Sequence, residues 1–183
     1  MIYLFLADGF EEVEAIAPVD VLRRCGIDVK TVGVTGPDVT GAHGMTLHAD
    51  LTADDVTAAD LPDAVILPGG MPGTRNLDQS DLVRDSLRRC ARGNRLICAI
   101  CAAPSVLGHL GLLSGKRATC FPGFENELDC AVYTAEPVTC DGNFITANGP
   151  GSALLFGEQI AARFVGSEAA HTVLQQMQYD FGE

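Results

Sequence analysis

The sequence has little positive charge. Lysine and arginine together number 12 against 24 acidic residues, so the formal net charge of the 183 residues is −12. A chain with this charge repels nucleic acid and anionic lipid, and neither is expected as a partner. Acidity of this kind favours solubility and says little about the fold.

Long apolar runs are also missing. After Met1 the chain opens on about six apolar residues with no basic segment before them, too short for a signal peptide or a transmembrane helix. A cytoplasmic protein is therefore expected. The seven cysteines are odd in number and dispersed, which fits reduced thiols better than a disulfide framework. With 47% hydrophobic residues, the chain suits one domain spanning 1–183 with a substantial core.

Several common site motifs are absent. The segment Pro-Gly-Gly-Met-Pro-Gly at 68–73 lacks the lysine of a phosphate-binding loop. No spacing indicates metal ligands, so neither a metal nor a cofactor is expected. Of the four histidines, none follows Cys101 directly, and His109 and His171 fall in predicted helices with surface positions. A Cys–His triad is therefore not indicated.

Buried strands alternate with helices along the chain. The runs 2–7, 64–67 and 95–100 are nearly all apolar, as in strands covered on both faces. This alternation predicts an α/β fold in which a mostly parallel sheet lies between two layers of helices. Pro18 is expected to kink the first helix. Asp141-Gly142 indicates a hairpin, and two helices should follow, the second capped by Ser167.

Cys101 is the first candidate for chemistry. It ends the apolar run 96–100 and precedes a helix-like run, so we expect a sharp strand-to-helix turn there. The unpaired N–H groups of the helix N-terminus predict a lowered thiol pKa and a reactive thiolate. The alternative is an ordinary buried cysteine, since free cysteine is often buried. Cys98 falls inside the strand and should point into the core, which counts against a working dithiol.

Glu14 and Gly70 also follow buried strands, so both should meet Cys101 at the carboxyl ends of a parallel sheet. The four acids of segment 8–14 could all be solvated or offset a helix dipole. Glu14 lies nearest the apolar helix face, and a carboxyl buried beside a thiolate keeps its proton and serves as a proton shuttle. Gly69-Gly70 fits a simple turn, or a loop whose Gly70 N–H joins that of Ala102 in an oxyanion hole.

These residues carry a resemblance to a known family. The segments 6–14, 18–24, 66–70, 99–104 and 149–151 resemble the ThiJ/PfpI superfamily, in the branch of the parkinsonism-associated protein deglycase and its bacterial relatives. The match runs over nearly the whole chain, and it is specific for the family rather than for one activity. The resemblance implies a homodimer and a flavodoxin-like three-layer α/β/α sandwich, similar to class I glutamine amidotransferases.

The resemblance also implies roles. It makes Cys101 the nucleophile and an easily oxidised thiol, Glu14 its carboxyl partner, and Gly70 and Ala102 the backbone donors. The activities it implies are those of a cofactor-free glyoxalase or deglycase acting on methylglyoxal, glyoxal or early glycation adducts. A small aldehyde or glycated molecule is then the partner. The alternative is a non-enzymatic oxidative-stress sensor or chaperone that uses oxidation of Cys101.

The chain departs from its relatives at three places. Phe121 stands where several relatives have a histidine near the cysteine, and His43 where many bring an arginine across the dimer interface. Together with Gly69, these residues are expected to contact the substrate. A histidine at position 43 would make the charge of the pocket depend on pH, because histidine titrates near pH 6.5. Ala102 stands where the protease-like branch has a histidine, which counts against a peptidase.

Overall fold

The structure is a computed structural model that describes residues 1–57 and 59–181, so residues 58, 182 and 183 of the expected domain lie outside it. The strands of this part are β1 (Ile2–Leu6), β2 (Val29–Gly33), β3 (Asp38–Thr40), β4 (Thr46–His48), β5 (Leu51–Thr52), β6 (Ala64–Leu67), β7 (Leu96–Ile100), β8 (Arg117–Ala118), β9 (Val132–Tyr133), β10 (Val138–Asp141) and β11 (Phe144–Ala147). The α-helices are α1 (Glu12–Arg24), α2 (Gly73–Gln79), α3 (Asp81–Arg92), α4 (Pro104–His109), α5 (Ala153–Val165) and α6 (Ser167–Gln176). Short 3₁₀ helices lie at Ala53–Asp55, Glu125–Glu127 and Pro150–Ser152.

One seven-stranded sheet organises the molecule, with the strand order β10-β11-β7-β6-β1-β2-β5. All neighbouring pairs in it are parallel except the hairpin of β10 and β11. Separate two-stranded ribbons are formed by β3 with β4 and by β8 with β9. The carboxyl ends of β1, β6 and β7 therefore lie side by side, and this edge holds the site described below.

Helices cover both faces of the sheet because the central strands are apolar on both. In β1, Leu4 belongs to one core cluster with residues of α1, α5 and α6, while Phe5 belongs to another with residues of α2, α3 and α4. Side chains alternate between the faces of a strand, so each strand supplies both cores. The predicted α/β/α sandwich with a mostly parallel sheet is confirmed.

Several local predictions need correction. The predicted hairpin is confirmed as β10 and β11, but its turn residues are Gly142-Asn143, because Asp141 still pairs with Phe144. Ser167 is the first residue of α6 and does not cap it; the capping position is held by Gly166. Helix α2 was not predicted from the sequence. Helix α1 continues through Pro18, and the kink expected there stays a prediction.

Two further findings bear on the expected cellular compartment of the protein. All seven cysteines are free in the structure, in agreement with the predicted reduced thiols. No helix in the described ranges is both long and apolar enough to cross a membrane.

Candidate active site

Cys101 lies at a sharp turn directly after β7. Its φ is +65°, in the left-handed region that costs a residue with a Cβ roughly 1–2 kcal/mol. Two hydrogen bonds hold this turn: the N–H of Cys101 donates to the carbonyl oxygen of Ala147 at 2.8 Å, and its carbonyl oxygen accepts from the N–H of Phe121 at 2.8 Å. A strained turn that is fixed on both sides is the arrangement of a nucleophile elbow.

The predicted depression of the thiol pKa is wrong. Helix α4 begins only at Pro104, three residues after Cys101, so the thiol does not lie in its first turn. Burial, together with the charge and hydrogen bond of the nearby Glu14 carboxyl, raises the pKa of the Cys101 thiol to about 12. Hydrogen bonds from the backbone N–H groups of Ala102 and Gly70 oppose this rise without reversing it. Both donors predicted from the sequence therefore lie at the sulfur.

Glu14 reaches the same place from α1 and is 0% exposed. Its Oε2 accepts a hydrogen bond from the N–H of Gly69 at 2.8 Å. Its Oε1 is buried and has no hydrogen-bond partner of acceptable geometry among the described residues. A carboxyl oxygen without a donor is the natural place for the proton of the neutral acid.

Burial also raises the pKa of the Glu14 carboxyl, to about 7, while contacts with the Cys101 thiol and the Gly69 N–H oppose the rise and the charge of Glu11 adds to it. The predicted rise of the Glu14 pKa is confirmed. Because Glu14 and Cys101 interact, they titrate as a pair. Near pH 7 the pair loses its first proton and then carries one negative charge between an oxygen and a sulfur.

Two glycines make this close approach possible. A Cβ on Gly69 would lie 2.7 Å from Cys101 Cβ and 2.7 Å from Glu14 Oε2, so any side chain there would separate the pair. Gly70 has a φ of +88°, and a Cβ on it would lie 2.3 Å from the backbone nitrogen of Glu11. Only glycine therefore lets the β6–α2 loop place the Gly70 N–H at the sulfur.

Phe121 lies at the rim of the site. Its backbone is tied to Cys101, its side chain is exposed, and its ring packs against Gly149, where a Cβ would lie 3.2 Å from the ring. The structure therefore places the backbone of Phe121 at Cys101 and its ring against Gly149. The structure brings Phe121, Gly69 and Gly70 to Cys101, as the sequence predicted.

His43 lies in the loop between β3 and β4, bound to acidic residues of its own chain. Its Nδ1 lies 2.9 Å from Glu12 Oε2 and 3.5 Å from Glu11 Oε2. The backbone N–H of His43 donates to Glu12 Oε1 at 2.8 Å, and that of Met45 donates to the same oxygen at 3.4 Å. Its predicted position across a dimer interface stays a prediction.

No local pattern in the sequence indicates this contact between the loop and α1. Glu12 is one of the acids of segment 8–14 for which a solvated position is expected, yet it is buried. Burial alone would raise the pKa of Glu12, but hydrogen bonds from the His43 side chain and from the backbone N–H groups lower it below its usual value. The hydrogen bond to Glu12 and the charge of Glu11 raise the pKa of His43.

The same three residues form the one group in the described ranges whose ligand atoms lie close enough to hold a metal ion. The ligand atoms of Glu11, Glu12 and His43 lie within 4.8 Å of one another. The His43 imidazole and the Glu12 carboxylate are already hydrogen-bonded to each other, and this contact anchors the β3–β4 loop to α1. Metal binding is not needed to account for it.

Comparisons with known proteins find relatives over most of the chain. The model of the DJ-1/PfpI family matches residues 1–163. Protein dj-1beta of Drosophila melanogaster is 40% identical over 173 residues, which cover 93% of this chain and 92% of that protein. A deglycase of Pyrococcus abyssi is 30% identical over 152 residues, covering 82% and 90%. The crystal structure of Drosophila melanogaster DJ-1beta has a TM-score of 0.93 and 38% identity, and 98% of each chain is covered.

Proposed function

The chain belongs to the DJ-1/PfpI family, and from this premise we propose that it is a cysteine-dependent glyoxalase or deglycase. Its substrates would be methylglyoxal, glyoxal or their early glycation adducts. One observation carries the proposal: a thiol, a buried carboxyl with a pKa of about 7 and two backbone N–H groups converge at Cys101. The name of the Pyrococcus abyssi relative supports a deglycase.

The first step would join Cys101 to the aldehyde carbon. The Glu14 carboxylate takes the thiol proton while the sulfur attacks, since the thiol itself ionises far above neutral pH. A C–S bond forms, and the carbonyl π-bond opens to an alkoxide. The N–H groups of Gly70 and Ala102 stabilise this oxygen, and Glu14 returns the proton to it. The product of the step is a neutral hemithioacetal.

The second step would convert the hemithioacetal to an acid. Glu14 removes the proton from the former aldehyde carbon and gives it to the ketone oxygen, which forms an enediol. It then removes the hydroxyl proton from the oxygen on the sulfur-bearing carbon and delivers it to the neighbouring carbon. The product is a thioester of a 2-hydroxy acid on Cys101. Water then cleaves the C–S bond, which releases the hydroxy acid and restores the thiol. For a glycated thiol or amine, a C–S bond from Cys101 would form at the adduct carbon as the bond from that carbon to the glycated sulfur or nitrogen breaks. Glu14 would pass the thiol proton to the group that leaves, which is thereby released unmodified.

Three further residues would shape the substrate pocket. Gly69 leaves the space between the thiol and the carboxyl, and the ring of Phe121 covers one side of a small aldehyde. His43 would contribute charge at its edge through Glu11, whose charge also reaches Glu14. Each step is assigned to groups of this chain, so the proposed reaction uses no cofactor.

Turnover of methylglyoxal tests the proposal. We expect reduced wild-type protein, purified free of contaminating glyoxalases, to form lactate, and Cys101→Ser to form none. Cys140→Ser is the matched control, because it removes an exposed thiol elsewhere in the chain and should leave turnover unchanged. Equal lactate formation by wild type and Cys101→Ser would overturn the proposal.

A redox sensor or chaperone is the second candidate. The same donors that would hold an alkoxide would hold an oxidised sulfur, and a neutral Glu14 would donate a hydrogen bond to a sulfinate. Under this alternative, peroxide would convert Cys101 to sulfinate and change the melting temperature or suppression of client-protein aggregation. Methylglyoxal would not be turned over. A homodimer and a cytoplasmic location belong to either alternative and stay predictions.

A further inference from the structure

We propose that the cavity between α2 and α4 binds a small organic carboxylate. The cavity has a volume of about 330 Å³ and lies beside the loop that follows β6. Three properties of its wall point to this ligand: an unsatisfied buried hydroxyl, an unpaired arginine and a pair of apolar side chains. Binding there would not require any reaction at Cys101, so the inference goes beyond the proposed function.

The hydroxyl belongs to Thr74, which lines the cavity and is 4% exposed. Its Oγ1 is buried and has no hydrogen-bond partner in the described part of the chain. Buried hydroxyl groups almost always have a partner, and leaving one unpaired costs free energy. Because the Thr74 side chain lines the cavity, rotation about its Cα–Cβ bond would present the hydroxyl to a carboxylate oxygen there, which would accept its hydrogen bond.

The cationic group is Arg75, which lines the cavity and is exposed. In this acidic protein most arginines lie against a carboxylate, but Arg75 makes no ion pair with a described residue. A guanidinium binds a carboxylate through two parallel hydrogen bonds, which makes an unpaired one at a cavity a natural anchor for it.

The wall also holds two acidic residues, Asp78 and Glu127. They repel an anion only weakly, because each already lies against a cationic or hydrogen-bond donor group. His109 Nδ1 lies 2.9 Å from Asp78 Oδ2, and His109 Nε2 lies 3.2 Å from Glu127 Oε2. Arg84 also pairs with Asp78, at 3.2 Å. The carboxylates are thereby oriented toward their own partners, and Arg75 keeps its charge for a ligand.

The remaining wall limits the size and chemistry of the ligand. Met71 and Phe124 supply apolar surface that suits a short hydrocarbon chain. A volume of about 330 Å³ lies at the low end for ligand sites, which suits a molecule of a few heavy atoms rather than a nucleotide.

The cavity is connected to the backbone of the candidate active site. The N–H of Thr74 donates to the carbonyl oxygen of Gly70 at 2.9 Å. The hydroxyl of Ser105, another wall residue, donates to the carbonyl oxygen of Ala102 at 2.7 Å. The residues whose N–H groups face Cys101 are thus bonded to two walls of the cavity, although the ligand would bind outside the thiol pocket.

Propionate is the probe for the test, with uncharged propionamide as its control. We expect titration of the ¹⁵N-labelled full chain to shift the amide signals of Thr74 and Arg75, and propionamide to leave them in place. Arg75→Gln should weaken propionate binding about tenfold or more, because it removes a charge-assisted contact. Arg92→Gln is the matched control: Arg92 is exposed, unpaired among the described residues and outside the cavity wall.

The hydroxyl is tested separately. Thr74→Val should weaken propionate binding while Thr74→Ser retains it, and the melting temperature of each variant shows that it folds. Cys101→Ser should bind propionate as the wild type does, so a failure of the proposed enzymatic function leaves this result intact. Equal weakening in Arg75→Gln and Arg92→Gln, or shifts confined to the residues around Cys101, would overturn the proposal.

Discussion

At the scale of single residues, the chemistry of the site depends on Glu14 more than on an acidic thiol. A cysteine with a pKa near 12 is almost entirely protonated at neutral pH and is a poor nucleophile by itself. A neighbouring carboxyl with a pKa of about 7 is close to the ideal for a base that works at neutral pH. Reactivity at Cys101 should therefore follow the protonation of Glu14.

The first prediction concerns the pH profile. We expect the alkylation rate of Cys101 by iodoacetamide to rise as pH passes through about 7, because only the ionised Glu14 can accept the thiol proton. In Glu14→Gln this rise should disappear. Mass spectrometry of each cysteine peptide measures the rates, with exposed Cys140 as the internal control whose rate is unaffected by the variant. A rise near pH 7 that survives in Glu14→Gln would show that Glu14 is not the base.

The second prediction concerns the cost of burying Glu14. Its pKa in the folded protein is about 7 against an ordinary value of 4.5, so the folded state holds the proton more tightly than the unfolded chain. The stability present at low pH is lost as pH rises from about 4.5 to about 7. Glu14→Gln should therefore raise the free energy of unfolding by up to about 3 kcal/mol at pH 8, and by much less at pH 4. Urea unfolding at the two pH values measures both changes, and equal changes would contradict the assignment.

The third prediction concerns Gly69. In Gly69→Ala the new methyl group must displace the Cys101 side chain or the Glu14 carboxyl, since it would meet both at 2.7 Å. We expect turnover to fall at least tenfold and stability to fall by about 1–3 kcal/mol. Gly151→Ala is the control, because a Cβ there would have no neighbour within 4 Å. Steady-state kinetics and urea unfolding of the two variants decide; full activity in Gly69→Ala would contradict the close approach of the pair.

At the scale of elements, local sequence patterns predicted the parts of the fold that local patterns determine. The apolar runs 2–7, 64–67 and 95–100 predicted β1, β6 and β7 to within one residue at each end. Convergence of Glu14, Gly70 and Cys101 followed from parallel strands ending at one edge.

What the sequence could not predict depends on tertiary contacts. The distance from Cys101 to the start of α4 is set by the geometry of the turn. The pKa of the thiol is set by its burial in the surrounding core and by the charge of the nearby Glu14 carboxyl. Helix α2 has few apolar residues and no side-chain cap, so no periodic pattern marks it. The burial of Glu12 likewise requires the β3–β4 loop to fold over α1, which no local pattern encodes.

The fourth prediction concerns that loop. In the folded protein the pKa of the Glu12 carboxyl lies below its ordinary value of 4.5, and the pKa of the His43 imidazole lies above its ordinary value of 6.5. Both groups are therefore charged throughout the pH range between these two pKa values. The stability from Glu12 is lost as pH falls through its lowered pKa, and that from His43 is lost as pH rises through its raised pKa. His43→Ala should therefore lower the melting temperature more at pH 6 than at pH 9.

Thermal unfolding at the two pH values checks the expectation. His48→Ala is the control, because His48 bonds Asp38 at 2.7 Å where both side chains are exposed, and exposed pairs contribute little. It should change the melting temperature slightly at either pH. The same loss at pH 6 and pH 9 in His43→Ala would mean that the charge of His43 does not hold the loop to α1.

At the scale of the whole molecule, apolar residues are exposed together where α1 meets the β3–β4 ribbon. Val13, Ile16 and Met45 are all exposed, and a groove of about 200 Å³ beside them is lined by Ile16, Val19 and Leu47. Large exposed apolar patches on a protein surface mark interaction sites. The patch lies on the helix that carries Glu14 and beside the loop that carries His43, so a second copy bound there would lie next to the candidate active site.

The last prediction follows from this surface. We expect the wild type to be a homodimer in sedimentation equilibrium and Ile16→Asp to be monomeric, because a buried unpaired charge at an apolar interface is costly. Leu61→Asp is the matched control: Leu61 is 44% exposed against 41% for Ile16, but it lies away from α1 and the groove. Leu61→Asp should therefore remain a dimer. A monomeric wild type, or dissociation of both variants alike, would place the dimer contact elsewhere or remove it.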